Sequence, residues 1–297
     1  MKKIYFVFFL HFVFGCSNSI TDSIDESPNK KILFYGFNYE NTSLISTYSM
    51  DIDSKIQKKI SIGFNKYPTW YNYPNEIILL NNNNYNLEIH DLHDSNNVTI
   101  LKENVGNVLF LRYSKFHDAI VFSYKEDINK IAYYDLKTKS IKDFPIIKFD
   151  ARNPIWSEKE NYIYFTSKLD TAFSILKVSK DGSSLNIFLK EKEYELSTFD
   201  IDPASELLVA SRYKAEKSFL TIYNIKTKSI LYNIDVSFLG VGLYPTFTSD
   251  GKKVLFVNGI PNNYTTPRNL FIMNSNGTIL TQLTFSESEI YSRPLNW

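Results

Sequence analysis

Five apolar runs in this 297-residue chain end at Leu79, Phe122, Phe165, Ala210 and Phe256, spaced 43, 43, 45 and 46 residues apart. Nine residues before each stands an apolar or aromatic residue: Trp70, Tyr113, Trp156, Ile201 and Phe247. A period of that length, kept in register over five units, restricts the chain to an array of one supersecondary unit, because each unit buries its apolar faces only against its neighbours. The other half of each unit repeats as well. "YYDLKTKSI" (Tyr133 to Ile141), "KVSKDGSSL" (Lys177 to Leu185), "IYNIKTKSI" (Ile222 to Ile230) and "FIMNSNGTI" (Phe271 to Ile279) each set a polar turn between two strand-like runs, as hairpins require. Four antiparallel strands per unit, at 40 to 50 residues each, predict the blades of a β-propeller.

A sixth unit is divided between the chain ends. "KKILFYG" (Lys30 to Gly36) reads as a second strand with no first strand before it, and "YSRPLNW" (Tyr291 to Trp297) as a first strand with nothing after it. Joining them closes the ring and removes the free edges of that blade. Pro294 and Trp297 are three apart, whereas Pro68 and Trp70, or Pro154 and Trp156, are two apart, so a one-residue bulge or shifted register is expected there. The expected fold class is all-β, a six-bladed propeller over residues 30–297. An aromatic content of 16% suits it, and no long amphipathic helical pattern follows the first fifteen residues. A formal net charge of +1 supplies no field for nucleic acid, which is not expected as a partner.

The first fifteen residues read as a cleavable export signal, with two lysines ahead of an apolar run from Ile4 to Phe14 that is too short to span a bilayer. Val13 to Cys16 resembles the lipobox of bacterial lipoproteins, although Phe14 stands where that pattern has a small residue. The resemblance implies lipidation of Cys16, the only cysteine, and a membrane-anchored protein of the cell envelope, on the periplasmic or surface side of an outer membrane. Residues 16–29, small, polar and acidic, then serve as a tether.

The stretch Tyr244 to Leu283 resembles the TolB-type propeller repeat, matching it at Pro245, Phe247, Ser249, Asp250, Gly251 and Lys252, and again at Asn274, Gly277 and Thr278. Only the units at 153 and 244 match as motifs, so the resemblance implies a fold and leaves the function open. Asp250 and Gly251 are expected to build a turn requiring positive φ, and Trp70, Trp156 and Phe247 to wedge between blades.

Chemistry-bearing motifs are scarce. The chain has no Gly-x-Ser-x-Gly elbow, no P-loop and no dinucleotide fingerprint, and no cofactor or metal is implied. The repeat register assigns His90, His93 and His117 to solvated turns on the face opposite the usual propeller mouth, and the paired carboxylates Asp200 and Asp202, or Asp51 and Asp53, read as solvated groups in strand ends or turns. What remains is the face carrying the inter-blade loops and the loops between second and third strands. There Tyr67, Arg152, Tyr244, Tyr264, Arg268, Tyr291 and Arg293 are candidate contacts, since Tyr and Arg are enriched at binding hot spots. The reading is a lipid-anchored, monomeric, non-catalytic module that binds a protein or an envelope glycan. The runner-up is a propeller enzyme, a polysaccharide lyase or hydrolase with its site at the channel mouth.

Overall fold

The computed structural model describes residues 31–38, 41–62, 65–81, 83–94, 96–259, 268–285 and 289–295. They form six four-stranded antiparallel sheets, the six blades the repeat predicts. The first strands of the blades are Glu289–Leu295, Asn65–Asn72, Val108–Ser114, Arg152–Trp156, Glu195–Ile201 and Leu243–Phe247, numbered here as blades 1 to 6. Each contacts the next around the ring, so together they form the inner wall. Blade 1 takes its first strand from the C-terminal end and its other three from residues 31–62, which is the expected closure.

Burial falls from the axis outward, and the sequence of each strand follows it. Second strands such as Ala119–Lys125 (AIVFSYK) and Lys253–Val257 (KVLFV) are near-continuous apolar runs because neighbouring blades cover both their faces. Outer strands such as Val98–Lys102 and Ile230–Asp235 are exposed at most positions. Six apolar clusters fill the gaps between blades, one to each gap. Trp70, Trp156 and Phe247 sit in three of them, at 3%, 2% and 0% exposure, as wedges. Truncating one of these rings leaves a cavity costing roughly 3–5 kcal/mol.

The recurrent proline has a structural cause. In blades 2, 4 and 6 the pairs Tyr67–Pro68, Asn153–Pro154 and Tyr244–Pro245 form a bulge in which two residues oppose one on the second strand. Proline, which lacks an N–H, is placed where the ladder is already interrupted. The residue ahead of it adopts the left-handed region, at φ 57°, 50° and 51°. Blade 1 has the same device: Leu33 pairs Leu295 and Tyr35 pairs Ser292, leaving Arg293 and Pro294 against Phe34. The bulge expected near Pro294 is thus present, and Trp297 lies outside the described residues.

On one face of the ring lie the turns joining first to second and third to fourth strands. Within each of blades 2 to 6 these two turns are tied by a backbone hydrogen bond: the N–H of Leu92 donates to Asn75, Leu136 to Asp118, Lys180 to Asn161, Ile225 to Glu206 and Ser275 to Lys252. This is called the far face below. The predicted Asp250–Gly251 turn is here, with Gly251 at φ 69° and Asp250 Oδ1 accepting the Lys252 N–H at 3.0 Å.

Candidate functional site

Alternate residues of the first strands project toward the axis, and the repeat spacing sorts them into layers. The uppermost layer is Tyr67, Phe110, Asn153, Thr198 and Tyr244; the next is Thr69, Arg112, Ile155, Asp200 and Thr246; the lowest is Tyr71, Ser114, Ser157, Asp202 and Thr248. Successive members of every layer are separated by the same 43, 43, 45 and 46 residues as the apolar runs.

The middle layer closes the channel. Arg112 of blade 3 reaches past blade 4 to Asp200 of blade 5, with Nη1 donating to Oδ1 at 2.5 Å and Nη2 to Oδ2 at 3.4 Å. Asp200 also accepts the Phe247 N–H at 2.8 Å, the Thr246 hydroxyl at 3.0 Å and the Ile201 N–H at 2.8 Å. One carboxylate thereby joins blades 3, 5 and 6, and it is 0% exposed. Thr69, Arg112, Ile155 and Thr246 are buried too. The space bounded by Arg112, Tyr113, Ile155, Trp156, Glu158 and Ile201 has no room for a water molecule. Asp200 and Asp202 were expected in solvent. Both are buried instead: Asp200 bridges blades in the middle layer, and Asp202 caps its own far-face turn, accepting the N–H groups of Ala204, Glu206 and Leu207.

Above this floor the uppermost layer stays half-open. Tyr67, Phe110, Asn153 and Tyr244 are each half-buried, and Thr198 is buried. Neighbouring blades are stitched here: Asn153 Nδ2 donates to the Ser197 carbonyl at 3.2 Å, and the Tyr244 N–H to Thr198 Oγ1 at 2.9 Å. Tyr67 and Tyr244 lean on inter-blade clusters, and Phe110 packs against the cluster between blades 4 and 5. Arg152 stands exposed at the rim, where its Nε donates to Asp150 Oδ2 at 2.5 Å. Asp150 in turn accepts the backbone and side-chain N–H groups of Asn129, tying blade 3 to blade 4.

Of the predicted contacts, the structure therefore brings Tyr67 and Tyr244 into one ring, with Arg152 beside it. Arg268 is 3% exposed and lies beside Gly259, so it is buried and not part of an exposed rim. Tyr291 and Arg293 lie in the first strand of blade 1, opposite Gly36 and at the bulge. Tyr264 and Cys16 lie outside the described residues, as does the 1–30 segment containing the export signal and tether. Two members of the mouth were missed. Phe110 occupies the Tyr67 position of blade 3, but no proline follows it. Arg212, 9% exposed, donates to Glu191 Oε2 at 2.6 Å and lies 4.5 Å from the Tyr194 ring centre, a cluster with no motif to announce it.

His93 is exposed in a far-face turn, as expected, and His90 is half-buried at the end of a third strand with Nε2 2.9 Å from Glu88 Oε2. His117 overturns its expectation. It occupies a far-face turn but is 8% exposed, stacked on Trp156 at 4.3 Å, with Nε2 2.9 Å from the Ser157 carbonyl. Burial pushes its imidazole below the usual histidine value, so it is held neutral. Burial likewise pushes the Glu158 carboxyl up, against the Ser114 hydroxyl that donates to it at 2.9 Å. Each of these deep ionisable groups is engaged by protein partners, and among the described residues no three His, Cys, Asp or Glu gather as a metal-binding group.

No protein-family model and no curated protein matches the chain by sequence. Solved structures do match the fold. TolB from Acinetobacter baumannii superposes with a TM-score of 0.70 at 17% identity, over 92% of this chain and 68% of that one. A putative TolB from Agrobacterium tumefaciens gives 0.65 at 12% identity, over 90% and 98%. A chain of a nidogen/laminin complex gives 0.64 at 10% identity, over 88% and 98%. At these identities the likeness is one of fold: this chain is a six-bladed propeller of the shape that TolB proteins have.

Proposed function

We propose that this protein is an exported, membrane-anchored propeller that binds a protein partner at the mouth of its channel and catalyses no reaction. The observation that carries the reading is the pairing of a closed floor with a half-open aromatic rim. A ligand meets a shallow platform of Tyr67, Phe110, Asn153 and Tyr244 edged by Arg152, while the ionisable groups below are sealed and mutually satisfied. Such a platform suits surface contact with another macromolecule, where aromatic and arginine anchors contribute most. That one matching propeller was solved as part of a nidogen/laminin complex agrees with a protein partner. An envelope glycan is the second ligand class. The export-signal pattern and the lipobox resemblance around Cys16 support a location at the cell envelope, with residues 16–29 as the tether.

The test is site-specific photo-crosslinking in intact cells, with the reactive residue at Lys148, exposed in the inter-blade loop that carries Asp150, or at Ile56, an exposed far-face residue of blade 1. One defined protein captured from position 148 and not from 56 supports the reading. Equal capture from both, or from neither, sinks it. The anchor is tested separately. Cys16→Ser should release the protein from the membrane fraction with its melting unchanged, and a mature N-terminus elsewhere than Cys16 would dispose of the lipoprotein reading.

A further inference from the structure

The pentapeptide Lys-Thr-Lys-Ser-Ile occurs twice, at 137–141 and 226–230, in the same far-face hairpin of blades 3 and 5. All ten residues are exposed, so packing does not account for the identity. Turn chemistry accounts for part of it. Thr138 donates its N–H to Asp135 Oδ1 and its hydroxyl lies 2.8 Å from that of Ser140; Thr227 does the same with Asn224 and Ser229. It does not account for the lysines. Lys139 and Lys228 even occupy the left-handed region, at φ 54° and 58°, where Gly or Asn is the easier residue.

Blade 4 lies between the two hairpins, with a groove on each side. One of about 680 Å³ runs between blades 4 and 5, edged by Lys226, Lys228, Asn186, Asn224, Phe188 and Ile187. Another of about 450 Å³ runs between blades 3 and 4, edged by Lys142, Lys180, Tyr133 and Tyr162. Four carboxylates share this sector, Asp135, Asp181, Glu160 and Glu206, and the Ser179 and Ser183 hydroxyls keep Asp181 ionised. Against them stand seven lysines, Lys137, Lys139, Lys142, Lys177, Lys180, Lys226 and Lys228. The sector is therefore net positive, and complementarity calls for an anionic ligand.

The aromatic rings decide which anion. Lys228 lies 5.4 Å from the Phe188 ring centre, Lys177 4.3 Å from Tyr162, and Lys180 5.8 Å from Tyr133. Ring faces covered by cations leave no open stacking platform for a sugar, whereas Ile187, 47% exposed, is an apolar contact beside them. We propose that this sector of the far face is a second binding site, distinct from the mouth, for an extended acidic polypeptide segment that crosses blade 4. Its carboxylates would meet the lysines of both hairpins, and an apolar side chain would rest against Ile187. The backbone bonds that tie each hairpin to its neighbouring turn preorganise the lysines.

Fluorescence anisotropy with a labelled short peptide of alternating glutamate and leucine tests this, against the lysine–leucine counterpart and a labelled oligogalacturonate of equal charge. Wild-type protein should bind the glutamate peptide, and high salt should weaken that binding. Lys137→Gln with Lys139→Gln, and Lys226→Gln with Lys228→Gln, should each weaken it several-fold and the quadruple variant further, while the corresponding arginine variants retain it. Failure to bind at low salt overturns the proposal, as does binding indifferent to the glutamine variants or equally lost in the arginine ones. Equal affinity for the oligogalacturonate would replace the peptide assignment with a general polyanion surface. Arg152→Ala, which alters the mouth, should leave this binding unchanged.

Discussion

Tyr244 and Thr246 are two residues apart on one strand and face the same axis, yet one is half-exposed in an open mouth and the other is sealed in the floor. The backbone period is the same at both levels, so it does not decide which layer closes. The side chains decide it. In the middle layer one blade contributes a cation and another an anion, and the two are long enough to meet across the gap. In the uppermost layer Tyr67 and Tyr244 rest on clusters beside their own blades, Phe110 reaches across to the cluster between blades 4 and 5, and all three stay only half-buried.

The largest effect should come from breaking the floor. Asp200→Ala removes the bidentate partner of the buried Arg112 guanidinium and leaves the Phe247 N–H without its acceptor, which should cost roughly 3–5 kcal/mol in urea denaturation. Replacing both partners, Arg112→Met with Asp200→Leu, should recover a substantial part of that loss, because an apolar pair carries no uncompensated charge. A double variant as unstable as Asp200→Ala would mean that the hydrogen bonds of Asp200 to blade 6, and not its charge pairing, hold the floor.

A smaller effect should appear just beneath, at the Trp156 wedge. His117→Gln loses the stack on Trp156 and should cost roughly 1–3 kcal/mol, whereas exposed His93→Gln should stay within about 0.5 kcal/mol. The pH dependence has a definite sign. The folded pKa of His117 is lowered, so the unfolded chain binds the extra proton first as pH falls. Its contribution is full above the unfolded value near 6.5 and is lost as pH falls through the folded value. Glu158, whose pKa is raised, acts in the opposite direction at lower pH, so the comparison is made between wild type and His117→Phe. The phenylalanine variant keeps a ring against Trp156 and should show a flatter stability profile below pH 6.5; an identical slope would mean that His117 protonates freely in the fold.

The fold was legible because burial in a propeller is itself periodic. Trp70, Trp156 and Phe247 recur at the blade interval, and the split unit at the two ends declares ring closure. The floor was not legible, because a repeat alignment treats Arg112 and Asp200 as deviations in two separate units, and nothing in either unit shows that they meet across a gap. His117 was misread for a related reason. A turn position predicts solvent on average, but a turn adjoining the next blade's wedge is covered by it. Phe110 escaped because the proline that marks its counterparts is absent from blade 3, although the 43-residue spacing from Tyr67 locates it once the ring is sought.

The smallest stability effect, and the sharpest contrast with Asp200, is expected at the rim. The Arg152 side chain is 61% exposed and its partner Asp150 remains held by Asn129, so Arg152→Ala should stay within about 0.5 kcal/mol of wild type in melting. If the mouth is the working surface, the same change should lower capture of the crosslinked partner, since an arginine at a partly desolvated contact is among the residues whose truncation costs more than about 1 kcal/mol of binding. Phe110→Ser examines the centre of the platform in the same way, with a larger cost in stability because it also leaves the cluster between blades 4 and 5. The two variants read together separate fold from function. Lost capture in the stable Arg152 variant assigns binding to the rim, whereas capture that survives Arg152→Ala and fails only in a destabilised Phe110 variant would show that the mouth is merely part of the scaffold.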